Sequence, residues 1–234
     1  MTFPFPTFNP VRSTSDPYFS SVSLLCHFDG TDAATTTTDN SSNAHTLTAN
    51  GNVQLDTAQS VFGGSASLHD GSGDYWSIAD HNSLDLGTGA FTIEFRLRMA
   101  STASLGAIIS KGNGTTAGQW DLVFNSGSPH LTFLEGGVYR ADSANNSIAA
   151  NTWYACCIER SSGGVYQFYI NGVASGTGST SAADLSNTAA VRVGAANGSG
   201  FGDVNGWVDE LRITKGVARY GGAYTPATAA FPNN

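Results

Sequence analysis

The residue that most needs a chemical reason is Asp209, in the segment NGWVDELRITKGVARY. Read as a strand, this segment alternates its side chains between two faces. Trp207, Asp209, Leu211 and Ile213 then share one face; Val208, Glu210 and Arg212 share the other. The first face is apolar apart from Asp209. A carboxylate on a core-directed face is costly unless it is hydrogen-bonded or bound to a cation. Asp209 therefore either accepts backbone N–H bonds from a loop or ligates an ion. Other chemistry is thin. Asp209 and Glu210 are adjacent and point to opposite faces, and Glu94 stands alone beside Arg96. His27, His45, His69, His81 and His130 show no metalloenzyme spacing. There is no Gly-x-Ser-x-Gly elbow and no phosphate loop. The expectation is a protein that is not an enzyme. A sugar site needs an exposed aromatic beside polar groups. Trp76, next to Tyr75, and Trp120, after the loop KGNGTTAGQ, are the candidates; Trp153 and Trp207 read as core.

These residues need rigid elements to place them. The chain has 234 residues, 28 of them glycine, with only 12% charged. That composition, with its many short apolar runs, favours β-structure in one domain. Phe91, Ile93, Phe95, Leu97 and Met99 alternate with Thr92, Glu94, Arg96 and Arg98, the pattern of a half-solvated antiparallel strand. Asn171-Gly172 after VYQFYI is the strongest hairpin signal. A dozen or more short strands predict an all-β, two-sheet antiparallel jelly-roll sandwich. Its expected core includes Phe28, Leu68, Ile78, Phe91, Ile93, Phe95, Trp153, Phe168, Leu211 and Ile213. Residues 112–118 and 197–206 are Gly/Asn-rich and read as mobile turns or as a binding rim.

Residues 1–21 read as an extended arm, residues 22–220 as the domain, and residues 221–234 as an extended tail. In the arm, four prolines alternate with Phe3, Phe5, Phe8, Tyr18 and Phe19. Proline excludes a central strand, and the aromatics argue for packing on a partner surface. That surface is the arm's own domain, another copy of the chain or another protein. The net charge of −8 disfavours nucleic acid. No apolar run approaches the roughly 20 residues of a membrane span, and the start MTFPFPTFNP carries no signal-peptide pattern. Cys26, Cys156 and Cys157 read as small buried hydrophobes.

The segments LLCHFDGTD, DNSSNAHTLTANGNVQL, GGSASLHDGSGDYWSIADHNSLDLGTGAFTIEFRLR, NTWYACCIER, YQFYINGV and GWVDELRITKGVARY occur in that order. Together they resemble the laminin-G-like branch of the concanavalin A-like lectin/glucanase superfamily, over roughly residues 22–220. The resemblance implies the same two-sheet jelly roll. It also implies a structural calcium between the first and last strands, at Asp29 and Asp209. Asp32, Asp39 and Asn43 add to the local oxygen supply, as calcium takes six to eight oxygens. Asp29 and Asp209 are therefore expected to converge. The superfamily's glucanases set paired carboxylates on one strand, and this chain lacks that pattern. HFDGTD at one end and DELRITKGVARY at the other resemble domains of tailed-bacteriophage virion proteins. That implies a capsid-decoration or tail-associated role in the virion. Its partners would be other virion proteins, further copies of the chain and host surface glycans.

Overall fold

The computed structural model describes residues 15–198 and 201–234. After a single 3-10 turn at Phe19–Ser21, the strands begin: β1 (Val22–Cys26), β2 (Leu47–Asn50), β3 (Gln54–Asp56), β4 (Ala66–Asp70) and β5 (Tyr75–Ile78). The middle of the chain gives β6 (Phe91–Met99), β7 (Gly106–Lys111), β8 (Trp120–Asn125), β9 (His130–Glu135), β10 (Val138–Asp142) and β11 (Tyr154–Arg160). The last five are β12 (Tyr166–Ile170), β13 (Val173–Ser175), β14 (Thr177–Gly178), β15 (Val191–Val193) and β16 (Asn205–Lys215). One sheet runs β13-β12-β11-β6-β16-β4-β3, with β1 also on β16; the other runs β14-β10-β9-β8-β7-β15-β5-β2. This is the expected all-β, two-sheet antiparallel sandwich.

The sequence pattern explains the layers. The odd-numbered side chains of β6, Phe91 to Met99, all enter the core between the sheets. Asn171 and Gly172, at φ 51° and 79°, close the β12–β13 hairpin. Such positive angles suit a two-residue turn that follows the strand twist. Cys156 joins the core, and all three cysteines are buried and unpaired.

Three core assignments change. Leu68 and Trp153 are only half-buried. On β4 it is Ser67 and His69 that face inward, while Leu68 pairs with Trp207 on the outer side. Trp207 does not share a face with Leu211 and Ile213. A register shift between Asp209 and Arg212 inserts one extra residue, Glu210, at φ 51°. A bulge of this kind reverses the alternation beyond it. Val208, Leu211 and Ile213 therefore enter the core, opposite Leu97 and Ile93, while Asp209 lies opposite Arg96 on the outer face.

That outer face is not half-solvated either. The tail from residue 217 onward crosses it as a strap. Val217 O accepts from Thr92 Oγ1 at 2.9 Å, Tyr224 N–H donates to Gly172 O at 2.8 Å, and Arg96 donates to Ala227 O. Phe231 packs with Val22 and Leu25, with Phe19 against them.

Candidate functional site

β16 is flanked on one side by two strands in turn, β4 along its first half and β1 along its second. The bulge falls where one gives way to the other. Phe28, just beyond β1, also has a left-handed backbone, at φ 58°. Such angles are costly for residues with side chains, so packing on both sides must hold them.

Side chains from distant segments converge at this junction. His27 Nδ1 lies 2.8 Å from Glu210 Oε1, and its Nε2 lies 2.7 Å from Asn233 Oδ1. The Glu210 carboxylate can only accept, so Nδ1 donates to it, and the Asn233 carboxamide engages Nε2. Burial alone would lower the His27 pKa. The hydrogen bonds to Glu210 and Asn233, with the charges of Glu210 and Asp29, outweigh burial and raise it. Glu210 Oε2 accepts the Phe231 N–H at 2.8 Å, which ties the tail to the bulge.

Asp209 is covered by residues 57–64 rather than by the core. Its Oδ2 accepts the N–H groups of Val61 at 2.7 Å and Phe62 at 3.2 Å. Its Oδ1 is buried without a hydrogen-bond partner. Burial, with the charges of Glu210 and Asp29, pushes its pKa up to about 7 against those two N–H bonds. The Asp29 carboxylate packs on the same stretch, because a Cβ added to Gly63 would meet Asp29 Oδ1 at 1.6 Å. Asp29 and Asp209 are thus held by neighbouring residues of one loop.

The other proposed oxygen donors go elsewhere. Asp32 Oδ1 accepts from Thr57 N at 3.0 Å. Asp39 is buried and accepts N–H bonds from Leu25, Ser41 and His45, at 2.9, 2.9 and 2.8 Å. Asn43 donates to Ser23 O at 3.2 Å. The set of Asp29, Asp32, Asp39, Asn43 and Asp209 therefore does not form one shell. Among the described residues, no group of three or more His, Cys, Asp or Glu is arranged to hold a metal. What fits a cation is narrower: the unpartnered Asp209 Oδ1 with Asp29 beside it.

The sugar-stacking candidates are overturned. Trp76 and Trp120 are fully buried between the sheets. Trp76 Nε1 donates to Ser67 Oγ at 2.7 Å, and Trp120 stacks on Phe133 with centroids 5.9 Å apart. Neither offers a face to a ligand. Of the arm residues, Phe3, Phe5 and Phe8 lie outside the described residues. Tyr18 is exposed, with the Arg219 guanidinium 5.4 Å from its ring centroid, and Phe19 packs on the Phe231 cluster. Asp16, at the root of the arm, is clamped by Arg212 at 2.9 Å and by Arg219 at 2.9 and 2.7 Å. Residues 15–20 thus meet their own domain, one of the surfaces that the sequence left open for the arm.

The sequence reading missed a cavity of about 230 Å³ beside this junction. Phe28 forms part of its wall, and the rest is polar: His27, Asp29, Thr37, Thr38, Asn40 and Asn233. The Thr37 hydroxyl oxygen is buried with no hydrogen-bond partner. The run of four threonines at 35–38 was the available signal, but nothing local shows that Asn233 joins it.

A family model of the concanavalin A-like lectin/glucanases superfamily matches residues 70–219. The chain belongs to that superfamily. No curated protein matches the lectin-like chain by sequence. Solved structures similar to it include the binding domain of Paraclostridial Mosquitocidal Protein 1, with 15% identity, TM-score 0.63, and coverage of 87% of this chain and 51% of that one. The botulinum neurotoxin serotype D binding domain is similar at 15% identity and TM-score 0.61, over 86% and 49%. This superfamily member thus spans about half the length of those toxin domains. Domain 4 of AbnA, a GH43 extracellular arabinanase from Geobacillus stearothermophilus, was solved in complex with arabinotriose. It is similar at 17% identity and TM-score 0.60, over 89% of this chain and 96% of that one. At these identities the likeness is one of fold.

Proposed function

We propose that this chain is a non-enzymatic, lectin-like module that binds carbohydrate. The observation that carries the reading is the correspondence, over nearly the whole of both chains, with a domain bound to arabinotriose. The disposition of the acids supports the non-enzymatic part. The chain has four glutamates, and all four are buried. Glu94 pairs with Arg212, Glu135 with Arg140, and Glu210 with His27; Glu159 accepts from the backbone of Tyr220 and Gly221. Carboxylates held in this way are poor candidates for an acid and nucleophile flanking a glycosidic bond. Binding of the purified chain to a glycan array, with arabinotriose as a further probe, tests the reading. Retention of one glycan class without its turnover is the expected result. Hydrolysis of the bound glycan, or no binding to any glycan, would overturn it.

The proposal includes a structural calcium held by Asp29 and Asp209, with backbone carbonyls and water completing its shell. It also includes display of the module on the virion of a tailed bacteriophage, by way of the N-terminal arm. One thing favours that placement: the resemblance of HFDGTD and DELRITKGVARY to virion domains. Deleting residues 1–14 should abolish association with the particle and leave glycan binding intact. Unchanged association would remove the virion role from the arm.

A further inference from the structure

We infer that the cavity between the first loop and the C-terminal tail is the carbohydrate subsite, and that it takes one neutral, hydroxyl-rich sugar unit. The inference rests on the carbohydrate-binding reading above and adds the place and the ligand class.

The wall selects the ligand. Thr37 and Thr38 bring hydroxyls, Asn40 and Asn233 carboxamides, and Asp29 a carboxylate. These groups accept and donate in turn, as the hydroxyls of a sugar require. The Thr37 hydroxyl still lacks a partner, and a buried polar group left unsatisfied is costly until something fills that role. Other classes fit less well. His27 directs both ring nitrogens to Glu210 and Asn233, so it has no N–H left for an anion. Asp29 would repel one in the calcium-free chain. Asp29 is also the cavity's only carboxylate, too few for a metal shell of its own. Phe28 is buried and offers no open ring face for a base or an aromatic ligand, so a sugar here would be held by hydrogen bonds alone, without the aromatic stacking looked for in the sequence.

Size sets the length of the ligand. A volume of about 230 Å³ lies below the roughly 300–1,000 Å³ of pockets for drug-sized ligands. At roughly 30 Å³ each, about eight waters would fill it. One sugar ring can replace those waters and repeat their hydrogen bonds. One ring of a glycan fits inside, and any further rings would lie outside the cavity.

The Asn233 contact also makes the wall composite. The first loop and the last residues of the chain must both be in place for the cavity to exist. Occupancy should therefore hold the tail down.

The test is a nuclear magnetic resonance titration of the full chain. The probes are galactose, glucose, arabinose and N-acetylglucosamine, with N-acetylneuraminic acid as the anionic comparison. The expected result is that a neutral sugar shifts the side-chain amide signals of Asn40 and Asn233. Thr37→Val and Asn40→Ala should then weaken binding by roughly ten-fold each, the effect of losing one hydrogen bond to a buried group. Thr37→Val keeps the side-chain shape, and an unchanged melting temperature confirms that it folds. Tyr139→Ser, at an exposed aromatic on β10, should leave binding unchanged. If glycans bind but the cavity variants bind them equally well, the site is wrong and the carbohydrate reading stands. If N-acetylneuraminic acid occupies the cavity, the ligand class is wrong. If the wild-type chain binds no sugar here and none on an array, both readings fall together.

Discussion

The two faces of β6 show two ways to bury the same strand. Phe91, Ile93, Phe95, Leu97 and Met99 join the apolar core between the sheets, with the Arg160 guanidinium over the Phe91 ring as a polar neighbour. Thr92 and Glu94, on the other face, are just as thoroughly buried, but under the strap formed by the C-terminal tail. There Arg212 donates to Glu94 Oε1 from Nε and Nη2, at 3.0 and 2.8 Å. Tyr220 donates to Glu94 Oε2 at 2.6 Å, and Asp16 bridges Arg212 and Arg219. The inner face is stabilised by apolar area removed from water, a non-directional effect. The outer face depends on matched partners, because a buried charge that loses its partner is strongly destabilising.

Breaking each face should therefore fail differently. Phe95→Ala should cost about 3–5 kcal/mol, the usual range for a large core truncation. Arg212→Ala should cost a similar amount, about 3–5 kcal/mol, because it strands Glu94 and weakens the Asp16 clamp. The difference lies in rescue. Combining Arg212→Met with Glu94→Gln should recover a large part of the loss, whereas no polar substitution should rescue Phe95→Ala. Denaturant unfolding of the single and double variants measures the coupling. Strict additivity would show that the outer network is not a unit.

How much of this was legible in the sequence follows from the same contrast. Strict alternation in β6 and Asn-Gly after β12 are local signals, and both translate directly into structure. The fate of an outward polar face is not local. Glu94 reads as solvated because its cover lies about 120 residues further on, in a tail that reads only as extended. The bulge at Glu210 was hidden for another reason. It is made by a residue with a side chain, held by His27 and the Phe231 N–H, and no glycine marks it. Trp76 and Trp120 were misplaced because each stands at or near the start of a short strand, where two or three residues cannot fix the phase. The cavity joins Thr37 to Asn233, and no motif spans that distance.

A titratable group inside the sandwich sharpens the comparison further. His69 sits in the interior, with Nε2 3.0 Å from Ser67 Oγ and Nδ1 3.1 Å from Asp74 O. The Asp74 carbonyl needs a donor, so Nδ1 carries the proton and Nε2 accepts from Ser67. Burial lowers its pKa to about 4, against the hydrogen bond to Asp74 and the charges of Asp203 and Asp70. The unfolded chain binds this proton near pH 6.5 and the native state does not. The neutral form's contribution is therefore complete above about pH 6.5 and is lost as pH falls towards 4. The loss is about 3 kcal/mol at the rate of 1.36 kcal/mol per unit. Asp16, on the outer face, acts lower. Burial raises its pKa, but Arg219, the Tyr18 N–H and Arg212 together bring it below the ordinary value of 3.8. Its contribution is present above 3.8 and is lost only below that. Unfolding free energies of wild type and His69→Asn between pH 7 and 4 separate the two. Parallel curves would remove His69 as the source of the slope.

The smallest expected effect comes from Asp209, where the two kinds of burial meet. Its Oδ2 is bonded like the outer network, while its Oδ1 has no partner and is shut away from water. Without a cation, that oxygen carries a desolvation cost with nothing to offset it. Asp209→Asn removes the charge and keeps an oxygen for the Val61 and Phe62 N–H groups. In chelator, the variant should therefore be about as stable as wild type, or more stable by about 1 kcal/mol. With calcium added, the wild-type melting temperature should rise, because an ion bound only to the folded state stabilises it by mass action. Asp209→Asn should lose that rise. Asp29→Asn should lose it too, since the two carboxylates pack against the same loop, at Val61, Phe62 and Gly63. Differential scanning calorimetry with and without calcium reads both outcomes. A calcium-dependent rise that survives both substitutions would place the ion elsewhere. No rise in the wild type, together with a gain in Asp209→Asn, would mean that this junction carries an uncompensated acid, and that the tail contacts to Glu210 and His27 hold it closed without metal.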